Sequence, residues 1–422
     1  MKRWSSLAPS WAMCLALLAA LPACRPPAPP ALTHQAYVWQ QAWTPALSAS
    51  LAGPAAAGLS GWRVLIGELQ SGDDTTRWRA VRPDWPALPR LAEPTTAVLR
   101  LDGQLAALDD AASDALRHDI VERWRDAQGD AGQKLALELD HDCATRRLPG
   151  YARFLRALRE DVHAAGGTLA ITALPAWLAR PDALRDVLAA VDTHVLQVHA
   201  VSRPEQGLWQ AGQTDAWLRD WVALAPHAFT LALPSAGSAV RVSAQGEVLA
   251  VRSSQPTAAR DWPADSRELL LQPDPLALAA FLARLQAQRP DKLRGIVWFR
   301  WPLPGDANTF TPASWALLRR DPAAFIAASR ASPLQLAAEP ADGTTPLRRW
   351  WLRNASAVDQ RLPAELTLPA GCSAVVPLNG AQPAATHGIR LTPRAADVRL
   401  LPAGQRLPVA LARCPHLSPL SP

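Results

Sequence analysis

Eight short apolar runs alternate with longer amphipathic segments between residues 36 and 301 of this chain. In amphipathic segments such as 112–127 and 151–165, large apolar residues recur at helical spacing. Strands that alternate with helices of this length predict a parallel sheet covered by helices rather than a β-sandwich. The eight predicted strands are 36–43, 62–69, 97–101, 135–142, 168–174, 195–201, 229–233 and 295–301.

This rhythm over residues 35–330 predicts an α/β fold, a (β/α)8 barrel of the TIM type. A doubly wound open sheet is the alternative. No G-x-G-x-x-G or P-loop run follows any predicted strand, so the nucleotide sites typical of open sheets have no signature here. An insertion at 239–253 has two β-like runs around a Gln-Gly pair and predicts a β-hairpin after the seventh strand.

The N-terminus has the pattern of an export signal. Lys2 and Arg3 precede an apolar stretch that is too short to span a membrane, and the stretch ends at Leu21-Pro22-Ala23-Cys24. This pattern predicts a signal peptide at residues 1–23. It resembles the lipobox of bacterial lipoproteins, which implies that Cys24 is acylated and becomes the first residue of the mature protein. An ordinary secretory signal with an incidental cysteine is the alternative.

Residues 24–34 then predict a lipidated cysteine followed by a proline-rich, extended tether. Arg25, rather than an aspartate, follows Cys24, and by the same resemblance this favours the outer membrane over the inner membrane. We therefore expect an exported protein that is lipid-anchored in the cell envelope. Cys372 and Cys414 are expected to form a disulfide, because an exported chain meets an oxidising compartment.

Beyond residue 333 the pattern changes. Short apolar runs are broken by Pro and Gly, and no helical period persists, so residues 333–422 predict a small all-β, sandwich-like domain. Such a domain either braces the barrel or binds a glycan. The formal net charge of +6 falls to +4 once Lys2 and Arg3 are removed, and the basic residues are dispersed. We therefore expect no nucleic-acid partner.

The most informative stretch is Leu137-Glu138-Leu139-Asp140-His141-Asp142 in the fourth predicted strand. Successive side chains of a strand point to opposite faces, so the three acids share one face and the leucines share the other. In a barrel the leucines pack against the helices, which turns the acids inward and puts Asp142 nearest the open mouth. Glu138, Asp140 and Asp142 are therefore the candidate catalytic residues.

Three buried carboxylates at this spacing repel one another, so we expect either a compensating cation or a raised pKa for at least one of the three. Arg300, on the same face of its strand as Trp298, is the expected cation. A purely structural salt-bridge network is the alternative. No H-E-x-x-H or C-x-x-C motif occurs, so neither a zinc site nor any cofactor is predicted. A hard cation on Asp140 and Asp142 stays open as a possibility.

Several residues near predicted strand ends are candidates for contacts with a sugar. Tryptophan offers a flat apolar face and one hydrogen-bond donor, and Trp177 in particular is expected to face a ligand. His199, at the end of the sixth strand, is a candidate for orienting an acid or a substrate hydroxyl. For each of these residues, packing in the core is the alternative to a binding role. The complete set of predicted substrate-binding residues is Trp39, Glu68, Trp177, His199, Trp298 and Arg300.

The chain also resembles the exported bacterial family catalogued as domain of unknown function 3142. The matching elements are AYVWQQAW at 36–43, LELDHD at 137–142, LPGYARFL at 148–155, ITALPAWL at 171–178 and GIVWFR at 295–300. The resemblance implies a barrel similar to those of glycoside hydrolases, and it carries no assigned activity.

The acidic strand is similar in style to the fourth strand of chitinase-like glycosidases, in which alternate acids end in a glutamate. Here the inward position after Asp142 is Ala144, so that glutamate is absent and Asp142 would take its place. The sequence thus leads to the hypothesis of an envelope glycoside hydrolase that acts on a polysaccharide by carboxylate chemistry. A non-catalytic lipoprotein that binds glycan or organises the envelope is the alternative.

Overall fold

The computed structural model describes residues 31–71, 76–101, 110–199, 204–252, 262–306, 308–340, 347–384, 388–391 and 398–414. The predicted signal peptide and Cys24 lie outside these ranges. Within them, no helix combines the length and the apolar character that crossing a membrane requires.

The first part of the described chain holds twelve strands. They are β1 (Thr33–Val38), β2 (Gly61–Ser71), β3 (Thr76–Ala80), β4 (Thr96–Leu101), β5 (Ala136–His141), β6 (Leu169–Ala173), β7 (Thr193–Gln197), β8 (Phe229–Pro234), β9 (Ser238–Val242), β10 (Val248–Arg252), β11 (Arg267–Leu271) and β12 (Leu293–Phe299).

Eight of these strands form a closed parallel barrel. The order is β1-β12-β8-β7-β6-β5-β4-β2, and β2 pairs back onto β1 to close the ring. These are the eight strands that the sequence predicts, with ends that differ by a few residues, so the TIM-type fold class is confirmed. Strand β3 pairs antiparallel with the end of β2, outside the ring of eight parallel strands.

Eight α-helices accompany the described strands. They are α1 (Pro45–Leu51), α2 (Asp110–Ala131), α3 (Leu148–Ala164), α4 (Pro181–Ala189), α5 (Ala211–Leu224), α6 (Pro275–Ala287), α7 (Pro312–Arg320) and α8 (Pro322–Ala331). Short 3₁₀ turns occur at Pro54–Ala56, Trp85–Ala87, Thr145–Arg147, Pro175–Ala179 and Pro204–Gln206.

Four helices begin in the same way, with a proline in the first turn behind an oxygen-bearing cap. The side chains of Thr44, Asp274, Thr311 and Asp321 each accept a hydrogen bond from a backbone N–H of the helix that follows. Proline has no N–H to lose at that position, and the cap satisfies an N–H that has no partner within the helix. These starts are therefore encoded locally.

The barrel has a large outer core and a smaller inner one. Outward side chains such as Leu137 and Leu139 pack with the helices in a continuous apolar cluster. Inside the ring, Tyr37, Leu65 and Val98 belong to a separate cluster with other inward residues. The alternation of the strands therefore divides each strand between the two cores.

The predicted hairpin after the seventh barrel strand is present as β9 and β10. A third strand, β11, pairs with the other side of β9, which gives an antiparallel sheet in the order β10-β9-β11. This inserted sheet follows β8 directly and contributes Ser238 and Val251 to the barrel mouth.

The regular structure in the described residues of the C-terminal part is antiparallel strand throughout, as expected of a small all-β unit. A disulfide bond joins Cys372 to Cys414, and Cys143 in the barrel is a buried free thiol. The strands are β13 (Gln335–Pro340), β14 (Leu347–Arg353), β15 (Gln360–Arg361), β16 (Glu365–Thr367), β17 (Ser373–Pro377), β18 (Gln382–Ala384), β19 (Gly388–Arg390), β20 (Leu400–Leu401) and β21 (Arg406–Arg413).

Buried Asp359 attaches this all-β part to the barrel helices. Its carboxylate accepts hydrogen bonds from the Thr311 backbone N–H at 2.7 Å and from the Thr311 hydroxyl at 2.9 Å. It also accepts from the Ala403 N–H at 3.0 Å, and its own N–H donates to the Ser314 hydroxyl. A buried carboxylate with this many donors holds the two surfaces together.

Closure of the barrel depends on a glycine. Gly295 of β12 faces Thr33 of β1, and a Cβ atom at Gly295 would lie 2.2 Å from the Thr33 hydroxyl and 2.6 Å from its carbonyl oxygen. We expect Gly295→Ala to lower the free energy of unfolding by about 1–3 kcal/mol, because the two strands must separate. Urea denaturation of the protein measures this change.

The matched control is Gly129→Ala, in the exposed part of α2, where nothing lies within 4 Å of the added atom. This variant should unfold at the same or a slightly higher urea concentration, since alanine favours a helix over glycine. Equal midpoints for Gly295→Ala and the wild type would contradict the argument.

Candidate functional site

The acidic row of β5 points into the barrel. Glu138 is fully buried, the side chain of Asp140 is 6% exposed, and that of Asp142 is 41% exposed. The three carboxylates therefore lie in a line from the barrel interior to its carboxyl-terminal mouth, as the alternation in the sequence predicts. Each of them has a guanidinium partner.

Glu138, the deepest acid, lies in a polar cluster that crosses the barrel. It forms an ion pair with Arg63 of β2, and its Oε1 accepts hydrogen bonds from the hydroxyls of Tyr37 at 2.6 Å and Thr172 at 3.4 Å. Burial raises the pKa of Tyr37 to about 12, so the phenol keeps the proton that it donates. Arg63 in turn donates from Nε to Gln35 at 2.6 Å.

Arg100 of β4 holds the two upper acids together. Its two terminal nitrogens contact Asp140 Oδ2 at 2.5 Å and Asp142 Oδ2 at 3.1 Å. Burial raises the pKa of Asp140, Arg100 opposes that rise, and the nearby Asp142 adds to it. The two carboxylates mainly raise the pKa of Arg100, so the guanidinium remains charged between them. One cation therefore serves two anions.

A cleft of about 770 Å³ opens above this row at the carboxyl-terminal end of the barrel. Such a volume is typical of a small-molecule site. Arg100, Asp140 and Asp142 form one side of the cleft. The other contributors are uncharged or aromatic at neutral pH, and they are Leu174, Pro175, Ala176, Gln197, Val198, His199, Gln206, Gly207, Trp209, Gln210, Gln213, Trp217, Ser238, Val251 and Phe299.

His199 lies at this mouth, just beyond the end of β7. Its ring stacks on Phe299 with the ring centres 5.1 Å apart. Burial lowers the pKa of His199 to about 4, against smaller opposing effects of a hydrogen bond to the Ala232 backbone and of Asp142. The ring is therefore neutral at pH 7 and adds no positive charge to the cleft.

Glu68 and Arg300 are not part of the acidic row. Glu68 is the register neighbour of Arg100, and its charge helps to raise the pKa of Arg100. Glu68 is buried on β2 and accepts a hydrogen bond from Gln41 at 2.8 Å. Arg300 forms an ion pair with Asp306 at 2.7 Å. The expectation that Arg300 compensates the row is corrected by the structure, because the guanidiniums on the row come from β2 and β4. Neither Glu68 nor Arg300 is among the described residues that line the cleft.

The predicted aromatic contacts also need correction. Trp177 has an exposure of 0%, and its indole N–H donates to the Cys143 carbonyl at 2.9 Å, so it is a core residue and does not face a ligand. Trp298 is equally buried, and its indole N–H donates to His34 at 3.2 Å on the helical side of the barrel. Trp39 packs against Tyr37 and Phe299 within the barrel.

The sequence reasoning missed the residues that replace these candidates. Arg63 and Arg100 each stand on the inward face of a strand, and Arg100 lies directly beside Asp140 in the parallel register. An arginine at an inward position of a predicted strand was the signal in the sequence that could have identified these two cations. No comparable signal marked Gln213 or Trp217, since both lie on a helix whose orientation the sequence leaves open.

Metal binding finds no support from the residues that the structure describes. They contain no group of three or more His, Cys, Asp or Glu side chains arranged to hold an ion. Asp140 and Asp142, the pair considered for a hard cation, already share the Arg100 guanidinium.

The Arg63–Glu138 pair gives a test of the barrel interior. We expect Arg63→Met to lower the free energy of unfolding by about 3–5 kcal/mol, because it leaves a buried carboxylate without its cation. The double variant Arg63→Met with Glu138→Gln should regain part of this loss. Urea denaturation monitored by tryptophan fluorescence measures all three proteins.

Arg185→Met serves as the control, since its ion pair with Asp182 on α4 is largely exposed. Such pairs contribute little to stability, so this variant should unfold like the wild type. If Arg63→Met unfolded no more easily than Arg185→Met, the buried pair would not stabilise the barrel.

Several solved structures are similar to this chain. A chitinase from Chromobacterium violaceum has 15% identity, 72% coverage of this chain, 100% coverage of its own and a TM-score of 0.46. The spore cortex-lytic enzyme SleL from Bacillus megaterium has 12% identity, 68% coverage of this chain, 73% coverage of its own and a TM-score of 0.47. A class V chitinase from Pseudomonas fluorescens has 15% identity, 64% coverage of this chain, 95% coverage of its own and a TM-score of 0.40. Identities and TM-scores this low assign no function to this chain.

A comparison with the sequences of curated proteins gave no match. The family described as domain of unknown function (DUF3142) matches residues 91–304, which include the acidic strand and all the described residues that line the cleft. This match spans half of the chain and agrees with the resemblance of the sequence motifs. The chain therefore belongs to the DUF3142 family.

Proposed function

We propose that this protein acts on a polysaccharide, which it binds in the mouth cleft and cleaves at a glycosidic bond with Asp142 as the acid. The observation that carries the proposal is the acidic row of β5. It rises through the barrel and ends in a half-exposed carboxylate inside a cleft of amide and indole side chains.

The position of the row supports a functional role. Catalytic sites of TIM barrels lie at the carboxyl-terminal ends of the strands, where Asp142 is found. Burying Glu138 and Asp140 costs free energy, and an apolar interior of the same shape is often more stable than an ion-paired one. A buried acid with a raised pKa beside a cleft, as Asp140 is, is characteristic of functional sites.

In the proposed reaction, protonated Asp142 donates its proton to the glycosidic oxygen as the bond from that oxygen to the anomeric carbon breaks. Water then adds to the anomeric carbon and returns a proton to the Asp142 carboxylate. Glycosidases usually employ two carboxylates. Asp140, the other acid of the cleft, is held on the same guanidinium, so we assign it the role of positioning Asp142 through Arg100.

Non-catalytic glycan binding is the second candidate. It is favoured by the pairing of both cleft carboxylates with Arg100, since a shared ion pair is also how a structural network satisfies buried acids. The two candidates use the same cleft and differ in whether a bond is broken.

Asp142→Asn distinguishes them. Asparagine keeps the shape of the side chain and cannot donate a carboxylic proton, so we expect oligosaccharide release to fall by about 100-fold or more. Release from a panel of bacterial and plant polysaccharides is measured by mass spectrometry, and binding to the same panel by affinity gel electrophoresis.

Asp182→Asn, on the exposed surface of α4, is the control and should release as much as the wild type. Binding without release by the wild type would support the non-catalytic candidate. Equal release by the wild type and Asp142→Asn would rule out Asp142 as the acid.

We also propose that the protein is exported and lipid-anchored through Cys24 in the cell envelope, in the outer membrane of a Gram-negative cell. The lipobox-like tetrapeptide supports this address, and the Cys372–Cys414 disulfide is compatible with an oxidising compartment.

Labelling of cells with radioactive palmitate tests the anchor. We expect the label to enter the wild type and Cys14→Ala, and Cys24→Ala to lose it and move to the soluble fraction, because only Cys24 occupies the lipobox position. Palmitate incorporation into Cys24→Ala would contradict the proposal.

A further inference from the structure

The cleft has two chemically different sides. Apart from the acids, the end of β7 and residues 206–217, which reach the second turn of α5, contribute five uncharged polar or indole side chains that are at least partly accessible. We call these five residues the amide wall, and they are Gln197, Gln206, Gln210, Gln213 and Trp217.

Local structure explains why these side chains lie together. Gln210 is the N-cap residue of α5, and Gln213 and Trp217 follow it at the i+3 and i+7 positions, which share one face of a helix. Gln206 lies in the preceding 3₁₀ turn, where its carbonyl accepts a hydrogen bond from the Gln210 side chain at 2.7 Å. Four residues of the wall are therefore organised locally, and Gln197 joins them in the cleft lining from the end of β7.

The charges of the cleft limit what it can bind. Arg100 is the sole cation among the described residues that line it, and its guanidinium already contacts both Asp140 and Asp142. His199 is neutral at pH 7. The lining thus carries two carboxylates and one guanidinium. A polyanion would meet net repulsion while both acids are ionised, and it would find no unpaired cation when Asp142 is protonated.

We propose that the amide wall is a subsite for uncharged sugar units next to the bond at Asp142, so that the protein selects a neutral polysaccharide over an anionic one. This inference rests on the proposed function and adds the substrate class and the residues that recognise it.

The chemistry of the wall fits such a ligand. An amide side chain both donates and accepts hydrogen bonds, as a sugar hydroxyl does. An indole offers a flat apolar face for the C–H groups of a sugar ring. Trp217 serves as the platform, and Gln210 and Gln213 flank it on the same helix face.

The test measures the affinity of the mature protein for neutral β-glucan and xyloglucan and for anionic alginate and polygalacturonate, by affinity gel electrophoresis at physiological salt. We expect the neutral polymers to retard the wild type and the anionic ones to leave it unchanged. Trp217→Ala should weaken neutral binding by at least about fivefold, and the exposed Gln213→Ala by about two- to tenfold.

Matched controls carry the same substitutions elsewhere. Gln288→Ala, at the end of α6, and Trp351→Ala, in the C-terminal sheet, should bind like the wild type. Circular dichroism checks that each variant is folded, and Gln213→Ala keeps the test decisive if Trp217→Ala is unstable.

The outcomes separate this inference from the proposed function. Preferential binding of alginate or polygalacturonate, or unchanged binding by folded Trp217→Ala and Gln213→Ala, would overturn the inference while release that depends on Asp142 still stood. Absence of binding and release with every polymer would overturn both.

Discussion

The ion pairs that join the acidic row of β5 to arginines of β4 and β2 are the interaction on which the rest of this structure depends. Three carboxylates on alternate positions of one strand can share the inside of a closed barrel only if cations accompany them. Arg63 supplies the cation for Glu138, and Arg100 supplies it for Asp140 and Asp142. The row therefore reaches the mouth as a fixed, hydrogen-bonded column.

That column makes the cleft asymmetric. Its β4–β5 side concentrates charge, whereas the β7–α5 side presents amides and an indole without charge. A ligand that spans both sides must offer hydroxyl groups to the amides and a reactive oxygen to Asp142. The asymmetry has two structural origins. The register of β4 and β5 puts Arg100 beside Asp140, and α5 carries Gln213 and Trp217 on one face.

The errors of the sequence reasoning have two causes. Residues were assigned to the site because they lie near predicted strand ends, yet Trp177 and Trp298 turn toward the helices and are fully buried. Arg300 was expected on the acids and instead pairs with Asp306, six residues along the chain. Trp298 lies within β12 on its outward face, so the inward face of that strand was assigned one residue out of phase. Trp177 and Arg300 follow their strands, where orientation depends on the path of the loop and alternation does not apply.

The sequence alone determined the eight strands, the barrel, the all-β C-terminal part and the inward direction of Glu138, Asp140 and Asp142. These features depend on apolar periodicity, which is local and repeats along each element. The tertiary structure alone decided which arginines meet the acids, and that α5 completes the cleft. Those contacts join residues about 40 to 75 positions apart, so they depend on strand register and helix placement, which no local pattern specifies.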